Sequence, residues 1–334
     1  MSQGATSLAR MVVPIEAGAH VVAAGFLGGK PVLALADGSV MLGEPESLSR
    51  VAAHPDAGIL VATLCATRLI SGGDDGRIVA TSSDGSIETI ADEKGKWIDA
   101  VAARNDGAVA WSAGKHVGVR DAKGEQREFT APSTVRGLAF APKGYRLACA
   151  HYNGVSMWFP NASSPPEDFA WKGSHLDVTI SADGRFLVTS MQENALHGWR
   201  ISDKAHMRMS GYPAKTRSLS WSHDGHWLAT SGAEACIIWP FQAKDGPMGK
   251  APSECGTRPA RVSCVAFHPH SLIAAIGYED GWAMLCRMSD GAEILVRAVS
   301  QGDDAAAITA LAWDGEGKRL AFGTASGKAG VLTL

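Results

Sequence analysis

Short apolar runs alternate with polar turns along the whole chain, and the alternation repeats about every forty residues. A copy begins with an apolar stretch such as 218–221, which is followed by a tight turn at Asp224-Gly225. A second apolar run that ends in small residues comes next, for example at 227–232. A fixed period of this length indicates one supersecondary unit that is copied in series.

We count eight copies of the first apolar run, which begin near His20, Gly58, Trp97, Thr134, His175, Lys215, Arg261 and Ala307. Within a copy, three short β-like runs precede a fourth and more polar one. The turns between them are rich in Asp-Gly and Asn-Gly pairs, which supply the positive φ angles of tight hairpins. Four short strands per copy predict an all-β protein, a closed β-propeller of four-stranded blades in a single domain over residues 1–334.

The last copy stops after its third strand, so its fourth strand must come from elsewhere in the chain. Residues 8–16 contain a β-like run that precedes the first copy. We expect this N-terminal strand to pair with the C-terminal blade, which closes the ring and removes an exposed sheet edge. The count is then eight blades. Seven blades plus an extra hairpin is the alternative, because a long tail at 296–306 blurs the seventh copy.

Composition narrows the function classes. The net charge is -3 over 334 residues, so the strong basic field of non-specific nucleic-acid binding is missing and nucleic acid is not an expected partner. Neither a signal peptide nor an apolar run of membrane-spanning length is found, and a soluble cytoplasmic protein is expected. The six cysteines form no CxxC pair, and several lie in apolar runs as small hydrophobes.

Two segments are longer than the repeat requires. They cover 161–167 and 243–259, and both are rich in Pro, Ser or Gly. Each falls near a connection between a third and a fourth strand. We therefore expect elaborated loops on the rim, which could add specificity for a partner.

These residues resemble the WD-repeat (β-transducin-like) propeller family over nearly the whole chain. The resemblance is carried by the apolar first strand before Asp-Gly, by the LeuAlaThrSerGly strand at 228–232, and by a Trp on several third strands. These tryptophans are Trp158, Trp199 and Trp239. The Trp-Asp pair that names the family is absent at those positions.

In the family, a His, a Ser or Thr, a Trp and an Asp form a buried hydrogen-bonded set in a blade. No copy of this chain has the full set. The second copy has His54, Ser71 and Asp75, and Ala80 stands where Trp is expected. The fifth copy has His175, Ser190 and Trp199 without the Asp.

The resemblance implies a non-catalytic scaffold that binds a partner peptide or loop on the face where the first strands begin. Alignment of the copies assigns two tiers of residues to that face. They are Trp97, Asp99, Arg136, His175, Asp177, Lys215, Arg217 and Arg261. Either the Asp and Arg side chains of neighbouring blades pair with each other, or the cations and Trp97 bind an acidic or aromatic segment of a protein partner.

Two alternatives come from other classes. Turn histidines could make a metal-binding accessory protein; they are His223, His226, His268 and His270. A propeller hydrolase or lyase could use Asp99, Asp177 and His175 at the channel mouth. The sequence shows neither a nucleophile elbow nor a phosphate-binding loop, so we expect no enzyme and no cofactor.

Overall fold

The computed structural model describes residues 6–299 and 305–334, and in this part of the chain nearly all regular structure is β. Two 3-10 helices cover Ala9–Met11 and Pro45–Ser47. The first strands in the chain are β1 Thr6–Ser7, β2 Val12–Glu16, β3 Val21–Leu27, β4 Lys30–Leu35, β5 Ser39–Leu42, β6 Ser49–Ala52, β7 Ile59–Leu64, β8 Arg68–Gly73, β9 Arg77–Ser82, β10 Ile87–Asp92, β11 Ala100–Ala103, β12 Val109–Ala113, β13 His116–Arg120, β14 Gln126–Thr130, β15 Gly137–Phe140 and β16 Leu147–Trp158. The remaining strands are β17 Glu167–Ile180, β18 Phe186–Met191, β19 Leu196–Arg200, β20 His206–Met209, β21 Leu219–Trp221, β22 Trp227–Thr230, β23 Cys236–Pro240, β24 Ser253–Cys255, β25 Val262–Phe267, β26 Ile273–Tyr278, β27 Ala283–Arg287, β28 Ala292–Arg297, β29 Ile308–Trp313, β30 Arg319–Thr324 and β31 Lys328–Thr333.

These strands form sheets in which sequence neighbours pair, as in a β-propeller. In the described residues there are seven sheets, with the strand orders β3-β4-β5-β6, β10-β9-β8-β7, β11-β12-β13-β14, β15-β16-β17-β18-β19-β20, β21-β22-β23-β24, β1-β28-β27-β26-β25 and β2-β31-β30-β29. The all-β propeller predicted from the sequence is confirmed. Seven sheets agree with the alternative blade count, although the reason is not the one expected.

Two copies of the repeat share one sheet. The first part of β17 pairs with β16, and its last part pairs with β18, so one unbroken strand ends the fourth copy and begins the fifth. All eight copies counted in the sequence are therefore present, but the fourth and fifth form a single six-stranded sheet. The blurred tail at 296–306 is not the cause, and its residues 300–304 lie outside the described residues.

The described chain divides into two compact units, which are treated separately below. Unit 1 covers 1–35, 41–48 and 212–334, and unit 2 covers 36–40 and 49–211. In unit 1, the N-terminal strand supplies the missing fourth strand of the last sheet, as predicted. It is shorter than the expected run, with Val12 opposite Leu332 and Glu16 opposite Lys328. Pro14 fits there because β2 is an edge strand, where the missing N–H costs no ladder hydrogen bond.

Small residues at the ends of the second strands have a packing role that recurs in both units. Gly277 ends such a strand, and a Cβ atom there would lie 2.5 Å from Cγ2 of Ile308 on the next sheet. The same contact joins Gly323 to Val21 in unit 1 and Gly72 to Ile98 in unit 2. Glycine thus lets a β-branched side chain of the next copy enter the preceding sheet, and this explains the apolar runs that end in small residues.

Hydroxyl groups on the first strands add bonds between successive sheets of unit 1. The Thr309 hydroxyl donates to the Val21 carbonyl at 2.7 Å, and the Ser263 hydroxyl donates to the Ile308 carbonyl at 2.7 Å. These hydroxyls stand at the inner positions where other copies carry Asp or Arg. At these two copies the inner position therefore joins neighbouring sheets.

Buried polar sets hold single blades together, and some differ from the expected ones. His54 bonds Ser71 at 2.8 Å and Asp75 at 3.1 Å, which are the partners the sequence indicated. His175 instead bonds Thr189 at 2.7 Å, and the Ser190 hydroxyl has no hydrogen-bond partner in the described residues. Thr189 occupies the register position that Ser71 has in the second copy, since Val178 pairs with Thr189 as Ala62 pairs with Ser71, so the expected hydroxyl was one residue out of place.

A further set in unit 1 uses Tyr212 in place of His. The Trp239 indole N–H donates to the Tyr212 hydroxyl at 2.6 Å, and that hydroxyl bonds the Thr230 hydroxyl at 2.7 Å. The tyrosine lies in a connection, and sequence comparison at the usual His position did not find it. Burial raises the pKa of Tyr212, so the phenol stays protonated.

An aromatic stack fills the outer part of the fifth copy in unit 2. Trp171 lies on the ring of His197 with centroids 3.9 Å apart, and Trp199 meets the other side of that ring edge-on at 4.6 Å. His197 is fully buried, and neither ring nitrogen has a hydrogen-bond partner in the described residues. Burial, with the nearby His206, lowers the pKa of His197 to about 3.

We predict that Gly277→Ala lowers the free energy of unfolding by about 1–3 kcal/mol, because the new methyl group overlaps Ile308. Ile308→Ala alone should also destabilise, through a cavity. The double variant should be more stable than the sum of the two single effects predicts, because the smaller side chain leaves room for the methyl group. Urea unfolding of the four proteins measures the coupling, and strictly additive effects would contradict the contact.

Acid should weaken the fold through its buried histidines. Below about pH 6.5 an unfolded chain binds a proton at His197 that the folded chain excludes, so the free energy of unfolding falls as the pH falls. At pH 5.5 this one group accounts for about 1.4 kcal/mol. His197→Phe keeps the aromatic stack and removes the titration. Urea midpoints at pH 7.5 and 5.5 should show a smaller acid loss in the variant, and an equal loss would refute this account.

Candidate functional site

The strand order of unit 2 places two kinds of connection on the same side, where the strands of each sheet end. We call this side of the strand ends an edge, as distinct from an edge strand. In a meander of four strands, the turn between the second and third strands lies at the same edge as the link from the fourth strand to the next copy. In the third to fifth copies this edge of unit 2 carries 93–99, 114–115, 131–136, the Tyr152-Asn153 hairpin in β16, the 171–175 stretch of β17 and the turn at 192–195. Successive first strands pack side by side, since β11 contacts both β7 and β15.

Three of the predicted site residues come together at this edge. Trp97 is 69% exposed. Asp99 accepts hydrogen bonds from the Gly114 N–H at 2.7 Å and from the Arg136 guanidinium at 2.9 Å. The Arg136 side chain remains 57% exposed while the Asp99 side chain is 16% exposed. The Asp–Arg pairing expected between neighbouring blades therefore exists here and leaves the cation facing solvent.

The next two predicted residues are placed differently. His175 is buried, and its second ring nitrogen bonds the Trp171 carbonyl at 3.0 Å, so this side chain is not on the surface. Asp177 is partly buried, and burial raises its pKa to about 6. A Cβ on Gly137 would lie 2.6 Å from Cα of Asp177, so these two first strands are in close backbone contact.

Unit 1 contains the other three predicted residues. Lys215 is partly buried and Arg217 is exposed. Arg261 pairs with Glu279 at 3.1 Å and lines an open groove of about 470 Å³. The other lining residues are Pro213, Glu234, Pro259, Ala260, Glu279 and Asp280. Three carboxylates beside this arginine make the groove a poor match for the acidic segment that the sequence predicted.

A second open groove, of about 530 Å³, lies at the edge of unit 2 described above. It is lined by Tyr152, Asn153, Ala170, Trp171 and Lys172. The Tyr152 backbone N–H donates to the Ser133 hydroxyl at 2.8 Å, and Asn153 has a φ of 70°, so the hairpin is well defined. Tyr152 is 54% exposed, and the stack on His197 fixes the Trp171 ring.

Positive charge surrounds this groove. We define the basic aromatic edge as Lys94, Lys96, Trp97, Lys115, Arg136, Tyr152, Trp171 and Lys172. Its five cations compare with three carboxylates in the same connections, Glu93, Asp99 and Glu193, of which Glu193 accepts a hydrogen bond from the Ser174 N–H at 3.3 Å. Glu93 bonds the Trp111 indole at 2.8 Å and His116 at 3.0 Å, and Asp99 bonds Arg136. The carboxylates are thus held by the protein, and the cations remain exposed.

Among the described residues, the opposite edge of the same copies lacks exposed large aromatic side chains. Its turns between β11 and β17 carry Arg104, Lys123, Lys143 and Arg146 with Asp106, Asp121 and Glu125, so four cations face three carboxylates. The two edges therefore differ little in charge balance, and the exposed Trp97 and Tyr152 distinguish the basic aromatic edge.

The alignment of the repeat copies did not identify Tyr152, Trp171 and Lys172, because these residues lie outside the fixed positions that precede the Phe or Trp of each first strand. A usable signal was present in each case. Tyr152 precedes an Asn-Gly hairpin, where an aromatic side chain falls at the strand end. Trp171-Lys172 lies just before the start of the fifth copy near His175, as Lys94 and Lys96 lie just before the start of the third copy near Trp97.

Two of the four turn histidines bind the protein's own backbone, and the His226 ring lies 3.3 Å from the Asp224 carboxylate. His268 bonds the Gly317 carbonyl at 3.0 Å, and His270 bonds the Gly315 carbonyl at 2.8 Å. Nowhere in residues 6–299 and 305–334 do three or more His, Cys, Asp or Glu side chains form a group that could hold a metal ion. Over the same residues, no helix is long and apolar enough to cross a membrane.

Comparison with known proteins agrees with this architecture. The family model "WD domain, G-beta repeat" matches residues 206–239, which run from β20 to the end of the third strand of the next copy. No curated protein sequence matches the chain. Among solved structures, the computationally designed Ika8 protein is similar at 16% identity over 96% of this chain and 98% of that one, with a TM-score of 0.78.

A chain from a crystal structure of the mitotic checkpoint complex is also similar, with a TM-score of 0.64. It has 14% identity and covers 80% of this chain and 87% of that one. At these identities the likeness concerns the fold. The chain is a β-propeller, and its residues 206–239 match the WD repeat.

Proposed function

We propose that this protein is a non-catalytic interaction platform whose basic aromatic edge docks an acidic segment of a protein partner. Propellers of the WD-repeat type generally mediate protein interactions, which supports the class. The observation that carries the proposal is the groove between Tyr152 and Trp171 with Lys172 on its wall and further cations around it. Aromatic and arginine side chains are the residue types that dominate binding energy at protein interfaces.

The geometry assigns different roles to the two kinds of side chain. Trp171 is held by its stack on His197, so binding a side chain against it costs little ordering entropy. An apolar or aromatic side chain of the partner would lie in the groove. Acidic side chains on either side of it would face Lys172 and Arg136, which supports association through charge complementarity.

The internal Asp99–Arg136 pair does not prevent this. Exposed ion pairs contribute only about 0–1 kcal/mol, so a partner carboxylate can share or replace Asp99 at little cost. The guanidinium keeps free N–H donors toward solvent, since one nitrogen makes the bond to Asp99. We propose the cytoplasm as the compartment, because all six cysteines carry free thiols.

Selection from a library of random peptides tests the docking proposal. The enriched peptides should combine Asp or Glu with an aromatic or large apolar residue, and their affinity should fall with added salt. Trp171→Ala and the Arg136→Glu/Lys172→Glu pair should each weaken binding by about tenfold or more. Fluorescence anisotropy with one selected peptide measures the change.

The Lys123→Glu/Lys143→Glu pair is the matched control, with the same change of charge at the opposite edge of the same copies. It should change affinity by no more than about twofold at moderate salt. Equal losses in the two charge-reversal pairs would indicate a non-specific charge effect. Selection of basic or uncharged peptides that ignore Trp171 would contradict the proposal.

A further inference from the structure

Three of the six cysteines meet near the outer part of unit 1. Cys236 lies in β23, Cys255 in the three-residue strand β24 and Cys286 in β27. Cys236 and Cys286 are fully buried in one apolar cluster, and the partly exposed Cys255 packs against it. Nothing in the docking proposal uses this cluster.

Cys236 and Cys255 face each other directly. Their Cα atoms are register partners in the antiparallel pairing of β23 with β24. Directly opposite residues in such a pair have Cα atoms about 4.5–5.5 Å apart. That interval lies within the range of about 4.4–6.8 Å that a disulfide spans. A bond between these sulfurs therefore needs no backbone movement.

Cys255 also stands at the end of a long segment of the rim. Residues 241–252 connect β23 to β24, and the chain after Cys255 is tied down at once. The Gly256 N–H donates to Glu293 at 3.1 Å, and its carbonyl accepts from the Tyr278 hydroxyl. The end of the segment at residue 252 is fixed to the sheet by the pairing of the short β24 with β23.

We propose that Cys255 and Cys236 are a thiol pair that peroxide oxidises to a reversible cross-strand disulfide, which locks the rim segment 241–252 to its sheet. Cys255 is the thiol that peroxide reaches, since it alone of the three is partly exposed. Cys236 is the resolving thiol, because it lies opposite in the same sheet, whereas Cys286 belongs to the neighbouring one.

The chemistry proceeds in two balanced steps. The Cys255 thiolate attacks one oxygen of hydrogen peroxide, the O–O bond breaks, and sulfenic acid and one water form after proton transfer. The Cys236 thiol then attacks the sulfenic sulfur, the S–O bond breaks, and the second water leaves as the disulfide forms. Two thiols are oxidised by two electrons and one peroxide is reduced to two waters. A dithiol reductant reverses the process by exchange.

The surroundings predict a slow first step. The neighbouring Cys236 thiol, together with burial, raises the pKa of Cys255, so little thiolate is present at neutral pH. The second step is fast by comparison, because the resolving thiol lies directly opposite in the strand pair. Oxidation should therefore accelerate as the pH rises from about 7 to about 9, with little sulfenic acid accumulating.

To test the proposal, the full chain is exposed to hydrogen peroxide and quenched with acid. Its disulfides are then identified by peptide mapping under non-reducing conditions. The expected result is a linked Cys236–Cys255 peptide pair, a fall in free thiols from six to four, and full reversal by dithiothreitol. Trypsin should also cut more slowly at the exposed Lys244 and Lys250 in the oxidised protein, since both lie in the locked segment.

Serine variants separate this pair from other thiols, with circular dichroism to confirm folding. Cys286→Ser and, in unit 2, Cys149→Ser should both keep the disulfide. Cys236→Ser should lose it and instead give a dimedone adduct at Cys255. A Cys255–Cys286 link in the wild type would overturn the assignment. The wild-type protein alone can also refute the proposal. It is wrong if Cys255 is still a free thiol after overnight exposure to millimolar peroxide near pH 9.

Discussion

Antiparallel pairing within each copy of the repeat is the constraint on which the remaining structure depends. Once four short strands pair in sequence order, every second turn must lie at the same edge of its sheet. The contact between a glycine and a β-branched residue, as between Gly277 and Ile308, then sets how closely the next sheet approaches. Exposed side chains in distant parts of the sequence are thereby gathered at one edge without contacts among themselves.

Much of this could be predicted because turn chemistry and apolar runs are local signals. The strand pattern, the propeller and the role of the N-terminal strand follow from them. The number of sheets could not be predicted, because whether β17 runs unbroken between two copies depends on pairing to both neighbours. The bond of His175 to Thr189 rather than Ser190 was missed because strand pairing, which places Thr189 where the second copy has Ser71, is not read from the local sequence.

The candidate site was predicted less completely for the same reason. Trp97, Asp99 and Arg136 could be located from their distance to the first-strand anchor, and the structure groups them at one edge. His175 has the same kind of position but lies beneath the surface, where it bonds Trp171. Tyr152 and Trp171 line one groove because the hairpin in β16 pairs with the 171–175 stretch of β17. That pairing depends on tertiary structure.

Rigid aromatic groups and exposed cations have complementary effects at such an edge. Charge raises the rate of encounter and is weakened by salt, whereas a fixed aromatic wall contributes to residence time. The buried stack under Trp171 holds the aromatic wall in place. Burial keeps His197 neutral, so this ring supports Trp171 without adding charge of its own.

Hydrogen exchange of the full chain with and without a selected acidic peptide tests the central claim most directly. The account predicts new protection in the connections 131–136, 151–154 and 171–175, with the turns at 104–108 and 121–125 unchanged. Protection confined to the opposite edge, or to the groove around Arg261, would contradict it.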